Sequence, residues 1–238
     1  MAVVKEQSKT FPLWFQSDSI NANYVSEYFR CLENLTYNET VVNTLDTTSL
    51  PLVGTFKFAG AVTAPNGNIY CIPYTATYVA IINPNDNTVD TTTITGLSGS
   101  IKWWGGVLAP NGKIYCIPDD FGSIGVIDTA TNAVTTIALT GRYRGGVLAP
   151  NGKIYCIPHV ATSVAIIDPS TDTVDTSSIP FSGVSFAFNS GQLADNGKIY
   201  CIPSSETFVG IIDPSTDTID TTTNVSYTHL TLPTKRIV

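Results

Sequence analysis

The sequence carries one segment twice without change. Gly-Gly-Val-Leu-Ala-Pro-Asn-Gly-Lys-Ile-Tyr-Cys-Ile-Pro occupies Gly105–Pro118 and again Gly145–Pro158. Looser copies lie at Gly60–Pro73 and Gly191–Pro203. Their Asn-Gly pairs begin at Asn66, Asn111, Asn151 and Asn196, in steps of 45, 40 and 45 residues. A fixed period in the forties means one supersecondary unit used several times, none of which can bury its apolar faces alone.

Within a unit, Val107-Leu108-Ala109-Pro110 is a short apolar run that meets Asn111-Gly112. That pair tolerates the positive φ angles of a tight hairpin, so two antiparallel strands are expected to join there. The second strand, Lys113–Ile117, is apolar at almost every position, which predicts cover on both faces. Pro118 ends it, having no N–H to give a ladder. A five-residue variable loop leads to a third strand, as in Val164–Ile167, and then to a turn such as Asp168-Pro169-Ser170-Thr171-Asp172. The fourth strand, Thr173–Ser177, is polar, as suits an outer edge. Four-stranded units with doubly covered middle strands predict an all-β fold, a β-propeller of antiparallel blades.

Four full blades are expected at about 54–95, 99–140, 141–180 and 182–224, within a repeat region spanning 38–224. Residues 1–37 are irregular and do not match the repeat cleanly. Tyr28–Glu33 followed by Thr40–Thr48 nevertheless reads as the outer half of a further, partial blade, because Asp46-Thr47-Thr48 aligns with Asp90-Thr91-Thr92. Residues 225–238 break the pattern, and Tyr227–Val238 is expected to be a non-native, adapter-like tail. No inner strands remain to complete the leading half-blade, so the ring is expected to be incomplete.

The chain has 238 residues, 43% apolar and 13% charged, with a formal net charge of −7. Such a surface offers no basic stripe for phosphates, which argues against nucleic acid. No apolar run reaches bilayer-spanning length, and Met1–Lys9 lacks a secretory layout, so no membrane association is expected. Cys71, Cys116, Cys156 and Cys201 hold one position in successive blades, too far apart for disulfides. They are read as small buried hydrophobes, and unpaired thiols favour an intracellular setting. Three sequons, at Asn34, Asn38 and Asn224, point toward secretion instead. The third-turn aspartates are expected to cap their turns, with no metal and no cofactor.

The first and third turns barely change between repeats, whereas the second loops and the inter-blade connections vary freely. In an up-and-down blade these variable segments emerge at one end, where a binding surface is expected. The candidate residues are Trp104, Arg144, Lys102, Arg142, Asp119, Asp120, His159 and Glu206. Trp104 and Arg144 stand out because their counterparts are Ala59 and Asn189, so the scaffold does not demand them. Phe58, Trp103, Tyr143 and Phe188 share one position and read as packing aromatics. His159 reads first as a solvated loop residue; with Asp119, Asp120 and Glu206 it could otherwise form an acid–base group. No nucleophile elbow or metal motif is present, so no catalytic residue is assigned.

Ala109-Pro110-Asn111-Gly112-Lys113-Ile114-Tyr115 and Val126-Ile127-Asp128-Thr129-Ala130-Thr131-Asn132 resemble the YVTN and NHL-type propeller repeats. Cys116-Ile117-Pro118 departs from the YVTN form. The resemblance implies a six- to eight-bladed ring used mostly for binding, with lactonase-like enzymes among its relatives. The sequence therefore favours a non-catalytic module that holds a protein, peptide or glycan. A lactonase-like hydrolase and a structural repeat array without a dedicated ligand are the alternatives.

Overall fold

The computed structural model describes Leu52 and residues 55–222. The chain divides into two units, Met1–Asp46 and Thr47–Val238. The first lies wholly outside the described residues, as do the half-blade expected at 28–33 and 40–48, the tail, the sequons, Cys31 and His229.

Sixteen strands form four separate antiparallel sheets, each a meander in chain order. The first holds β1 (Phe58–Thr63), β2 (Ile69–Pro73), β3 (Val79–Asn83) and β4 (Thr88–Ile94). The second holds β5 (Trp103–Leu108), β6 (Lys113–Pro118), β7 (Ser123–Asp128) and β8 (Val134–Ala138). The third runs through β9 (Tyr143–Leu148), β10 (Ile154–Pro158), β11 (Ser163–Asp168) and β12 (Thr173–Pro180). The fourth comprises β13 (Phe188–Leu193), β14 (Ile199–Pro203), β15 (Gly210–Asp213) and β16 (Thr218–Asp220).

The hairpin after each first strand departs from the expected two-residue turn. The Gly112 N–H donates to the Ala109 carbonyl at 3.0 Å, and the Ala109 N–H to the Lys113 carbonyl at 2.9 Å. Proline thus sits second and glycine fourth in the turn, and the glycine alone takes a positive φ, 79° at Gly112. Asn111 is freed for another task. Its Oδ1 accepts the Lys113 N–H at 3.0 Å, while its Nδ2 crosses to the Pro169 carbonyl of the following sheet at 2.8 Å. The same Nδ2 also donates to the Tyr115 hydroxyl at 3.0 Å, and that hydroxyl donates to Asp172 of the following sheet. Asn66 with Tyr70, and Asn151 with Tyr155, repeat this seam against Asn132 and Asp217.

Inside each seam, side chains from two sheets interlock. Tyr115, Ile117, Ile124 and Val126 of the second sheet pack on Ile154, Cys156, Ala165 and Ile167 of the third. Ile157 sits so close to Gly191 of the next sheet that a Cβ there would lie 2.5 Å from it. Glycine at that position is a matter of approach distance. Cys116, Cys156 and Cys201 are free and buried within these seams as small hydrophobes, and Cys71 is likewise free and buried.

First strands pack on first strands, β1 with β5, β5 with β9 and β9 with β13, so they form the inner wall around which the sheets are arranged. No comparable packing joins β1 to β13, and the ring of described sheets is open. The outer flank of the fourth sheet is less covered accordingly: Ile202 is 46% exposed, whereas Ile72, Ile117 and Ile157 are fully buried. The fourth strands are polar at most positions. Asp90 and Asp175 sit where β4 and β12 shift register, and each accepts the N–H two residues on at 2.7 Å. Their carboxylates thereby satisfy amides that the bulge removes from the ladder.

Candidate functional site

At the end of the sheets opposite the Asn-Gly hairpins, the second loops meet the inter-sheet connections through backbone bonds. The Tyr74 N–H donates to the Lys57 carbonyl at 2.7 Å, and the Lys102 N–H returns to the Tyr74 carbonyl at 2.8 Å. The Asp119 N–H donates to the Lys102 carbonyl at 3.0 Å, and the His159 N–H to the Arg142 carbonyl at 3.0 Å. Ala187 and Ser204 continue the pattern: the Ala187 N–H donates to the His159 carbonyl at 2.9 Å and the Ser204 N–H to the Ala187 carbonyl at 2.8 Å. Three repeat positions are thus held side by side around the inner wall: Tyr74/Asp119/His159, Lys57/Lys102/Arg142 and Trp104/Arg144/Asn189.

Their side chains converge. Asp119 is fully buried and accepts from Arg142 through both Nε and Nη2 at 3.0 Å. The Tyr74 hydroxyl approaches its other oxygen at 3.4 Å. Burial and the Asp119 charge raise the Tyr74 pKa. Tyr74 meets Trp104 edge to face, with ring centroids 5.5 Å apart. Arg144 lies 4.3 Å above the Trp104 ring, and its Nη1 donates to Asn189 at 2.8 Å. One arginine therefore links the inner walls of three sheets.

His159 is only 1% exposed, which corrects the expectation of a solvated loop histidine. The connection before β13 closes over it: Nδ1 lies 2.8 Å from the Phe188 carbonyl, and Phe186 packs edge-on at 5.1 Å. A carbonyl can only accept, so Nδ1 carries the proton and Nε2 is left as an acceptor. Burial first, then Arg144 and Arg142, hold the imidazole pKa below its ordinary value; the Phe188 carbonyl and Asp119 oppose the shift. The neutral form of the ring is thereby favoured. Two buried polar atoms here have no partner, His159 Nε2 and Arg144 Nε. A buried group left unpaired costs about 1–3 kcal/mol.

The other candidates stand apart. Lys102 is fully buried, and its Nζ donates to the Gly99 carbonyl at 2.6 Å, with burial lowering its pKa. Asp120 is exposed, its N–H held by the Ile101 carbonyl at 3.2 Å. Glu206 accepts the Val184 N–H at 2.7 Å and lines an open cavity of about 330 Å³ with Phe181 and Phe208. The acid–base set of Asp119, Asp120, His159 and Glu206 is therefore divided among different partners. Among the described residues, no three His, Cys, Asp or Glu side chains are grouped to hold a metal. Asn189 belongs to the cluster although it does not stand among the candidates singled out from the sequence. The signal for it lay in the repeat itself, since equivalent positions become neighbours around a ring.

No family model matches the chain, and no curated protein sequence matches it. Solved structures do. Virginiamycin B lyase from Staphylococcus aureus superposes with a TM-score of 0.58 at 14% identity, over 70% of this chain and 55% of the lyase. A catalytically inactive histidine-to-alanine form of that lyase, with quinupristin, gives 0.59 at 14% identity, over 71% and 56%. An auxiliary nutrient binding protein from Bacteroides ovatus gives 0.50 at 17% identity, over 69% of this chain and 41% of that one. The four sheets are blades of a β-propeller. The chain spans just over half the length of the lyases it resembles. At these identities the likeness concerns the propeller fold alone.

Proposed function

We propose that this propeller is a non-catalytic binding module that takes a protein, peptide or glycan at its variable-loop end. The observation carrying this reading is the Arg144–Trp104 stack, flanked by the unpartnered Arg144 Nε and His159 Nε2. The scaffold does not need the stack, because the first and fourth blades place Ala59 and Asn189 at the same position. Aromatic faces beside a few convergent polar groups are what a ligand site requires. The YVTN and NHL-type likeness of the repeats supports a binding role.

An array of glycans and peptides probed with the wild-type chain and with Trp104→Ala and Arg144→Ala tests this. Binders should lose at least about tenfold in affinity in both variants, the scale of about 1.4 kcal/mol. Unchanged binding in both would end the proposal.

A second reading rests on His159. A neutral imidazole with a bare Nε2 is a proton acceptor, the form a general base needs. Under that reading the propeller acts on its ligand, as lactonase-like hydrolases do, and His159→Gln abolishes turnover while sparing binding.

A further inference from the structure

At the hairpin end, Lys113 pairs with Asp172, and Lys198 with Asp213 at 3.1 Å. At the loop end Arg142 pairs with Asp119, whereas Arg144, stacked on Trp104, has no carboxylate partner among the described residues.

Arg144 supplies the geometry. Stacking on Trp104 fixes the guanidinium plane, and Nη1 is occupied by Asn189. The edge that remains is Nε with Nη2, the pair of parallel N–H donors that grips a planar carboxylate. His159 Nε2 is the second unpartnered atom, and the His159 N–H is bonded at 3.0 Å to the carbonyl of Arg142, two residues before Arg144 on β9. With Nδ1 already donating to Phe188, proton uptake at Nε2 would make it a further donor toward an anion. The charged and titratable groups facing His159 are Arg144, Arg142 and Asp119, and Asp119 is already committed to Arg142 and Tyr74. Among the described residues no second uncommitted arginine stands beside Arg144, which favours a monoanionic planar group over a phosphate. The walls are aromatic: Trp104, Tyr74 and the half-exposed Phe186.

We infer that the Arg144 edge and His159 Nε2 form a seat for a carboxylate carried on a ring, and that the ligand enters with uptake of one proton. This rests on the binding reading above and names the chemistry of its ligand. A ring carboxylate can come from a sugar acid or from an aromatic acid, and the test separates them.

The wild-type chain is titrated calorimetrically with galacturonate and benzoate, and with galactose and benzamide as uncharged counterparts, at pH 5.5 and 7.5. At least one acid should bind, its counterpart at least about tenfold more weakly. Affinity should rise about tenfold or more toward pH 5.5, with one proton taken up, as linkage requires for a group whose pKa rises on binding. Arg144→Gln should abolish acid binding, whereas His159→Gln should bind weakly but without pH dependence. Thermal unfolding of both variants reports whether the fold is intact. Binding of galacturonate alone assigns a sugar acid, and of benzoate alone an aromatic acid. Equal binding of acid and uncharged counterpart, or no binding of either acid, overturns the carboxylate seat. If array ligands still depend on Trp104 and Arg144, the binding module survives that failure; if they do not, both fall.

Discussion

Gly125 faces Trp103 within the second blade, and a Cβ at that glycine would lie 2.4 Å from Cζ2 of the indole. The fourth blade repeats the arrangement with Phe188, whose Cζ would lie 2.8 Å from a Cβ on Gly210. Where the aromatic is Phe58 or Tyr143, the facing residue is Ala80 or Ala165. The largest ring, Trp103, is thus met by glycine and Tyr143 by alanine, while a phenylalanine is met by either. Gly125→Ala should destabilise the chain by about 1–3 kcal/mol through overpacking. Adding Trp103→Tyr, to mimic the third blade, should recover a good part of the loss in urea unfolding. Additive penalties in the double variant would disprove the pairing.

The sixteen strands follow from the repeat, and the sequence shows most of them directly. Unbroken apolar runs such as Ile114–Ile117 mark strands covered on both faces, and Thr-rich stretches such as Thr173–Ser177 mark edges. Sequence alone does not show what the turns do between blades. Asn111 reads as a hairpin residue and Asp172 as part of a turn, yet they meet across a seam through Tyr115. No local rule couples residues about sixty positions apart; only stacked repeats do. The site was legible in part for the same reason. Arg144 and Trp104 showed as departures from the repeat, while the burial of His159 depends on the Phe186–Phe188 connection folding over it. A comparison of identical elements tests the seams. Ile157 and Ile202 occupy equivalent places in β10 and β14, one fully buried and the other 46% exposed. Ile157→Ala should lower unfolding free energy by about 3 kcal/mol, and Ile202→Ala by less than about 1 kcal/mol. Similar losses at both would mean that the last flank is covered as well as the inner ones.

At the scale of the whole molecule, acid should be a uniform solvent of this fold. Side-chain and backbone hydrogen bonds hold Asp90 at about 2, and Asp128, Asp168, Asp172, Asp175 and Asp213 all lie below the ordinary carboxylate range. Each has a lower pKa folded than unfolded, so its contribution is complete above about pH 4 and drains away as pH falls toward 2. Thermal midpoints should therefore drop through that window, and Asp90→Asn with Asp175→Asn should make the drop shallower. These carboxylates are found in all four blades, three of them in the third, so the loss should be spread through the fold and not confined to one region. The same recurrence has a genetic corollary. Because the Tyr–Asn clasp recognises only a main-chain carbonyl and one polar tip in the next module, any copy can dock beside any other. In-frame duplication of residues 101–140 should thus yield a longer soluble array at the first attempt, giving such genes an easy route to change their ring size.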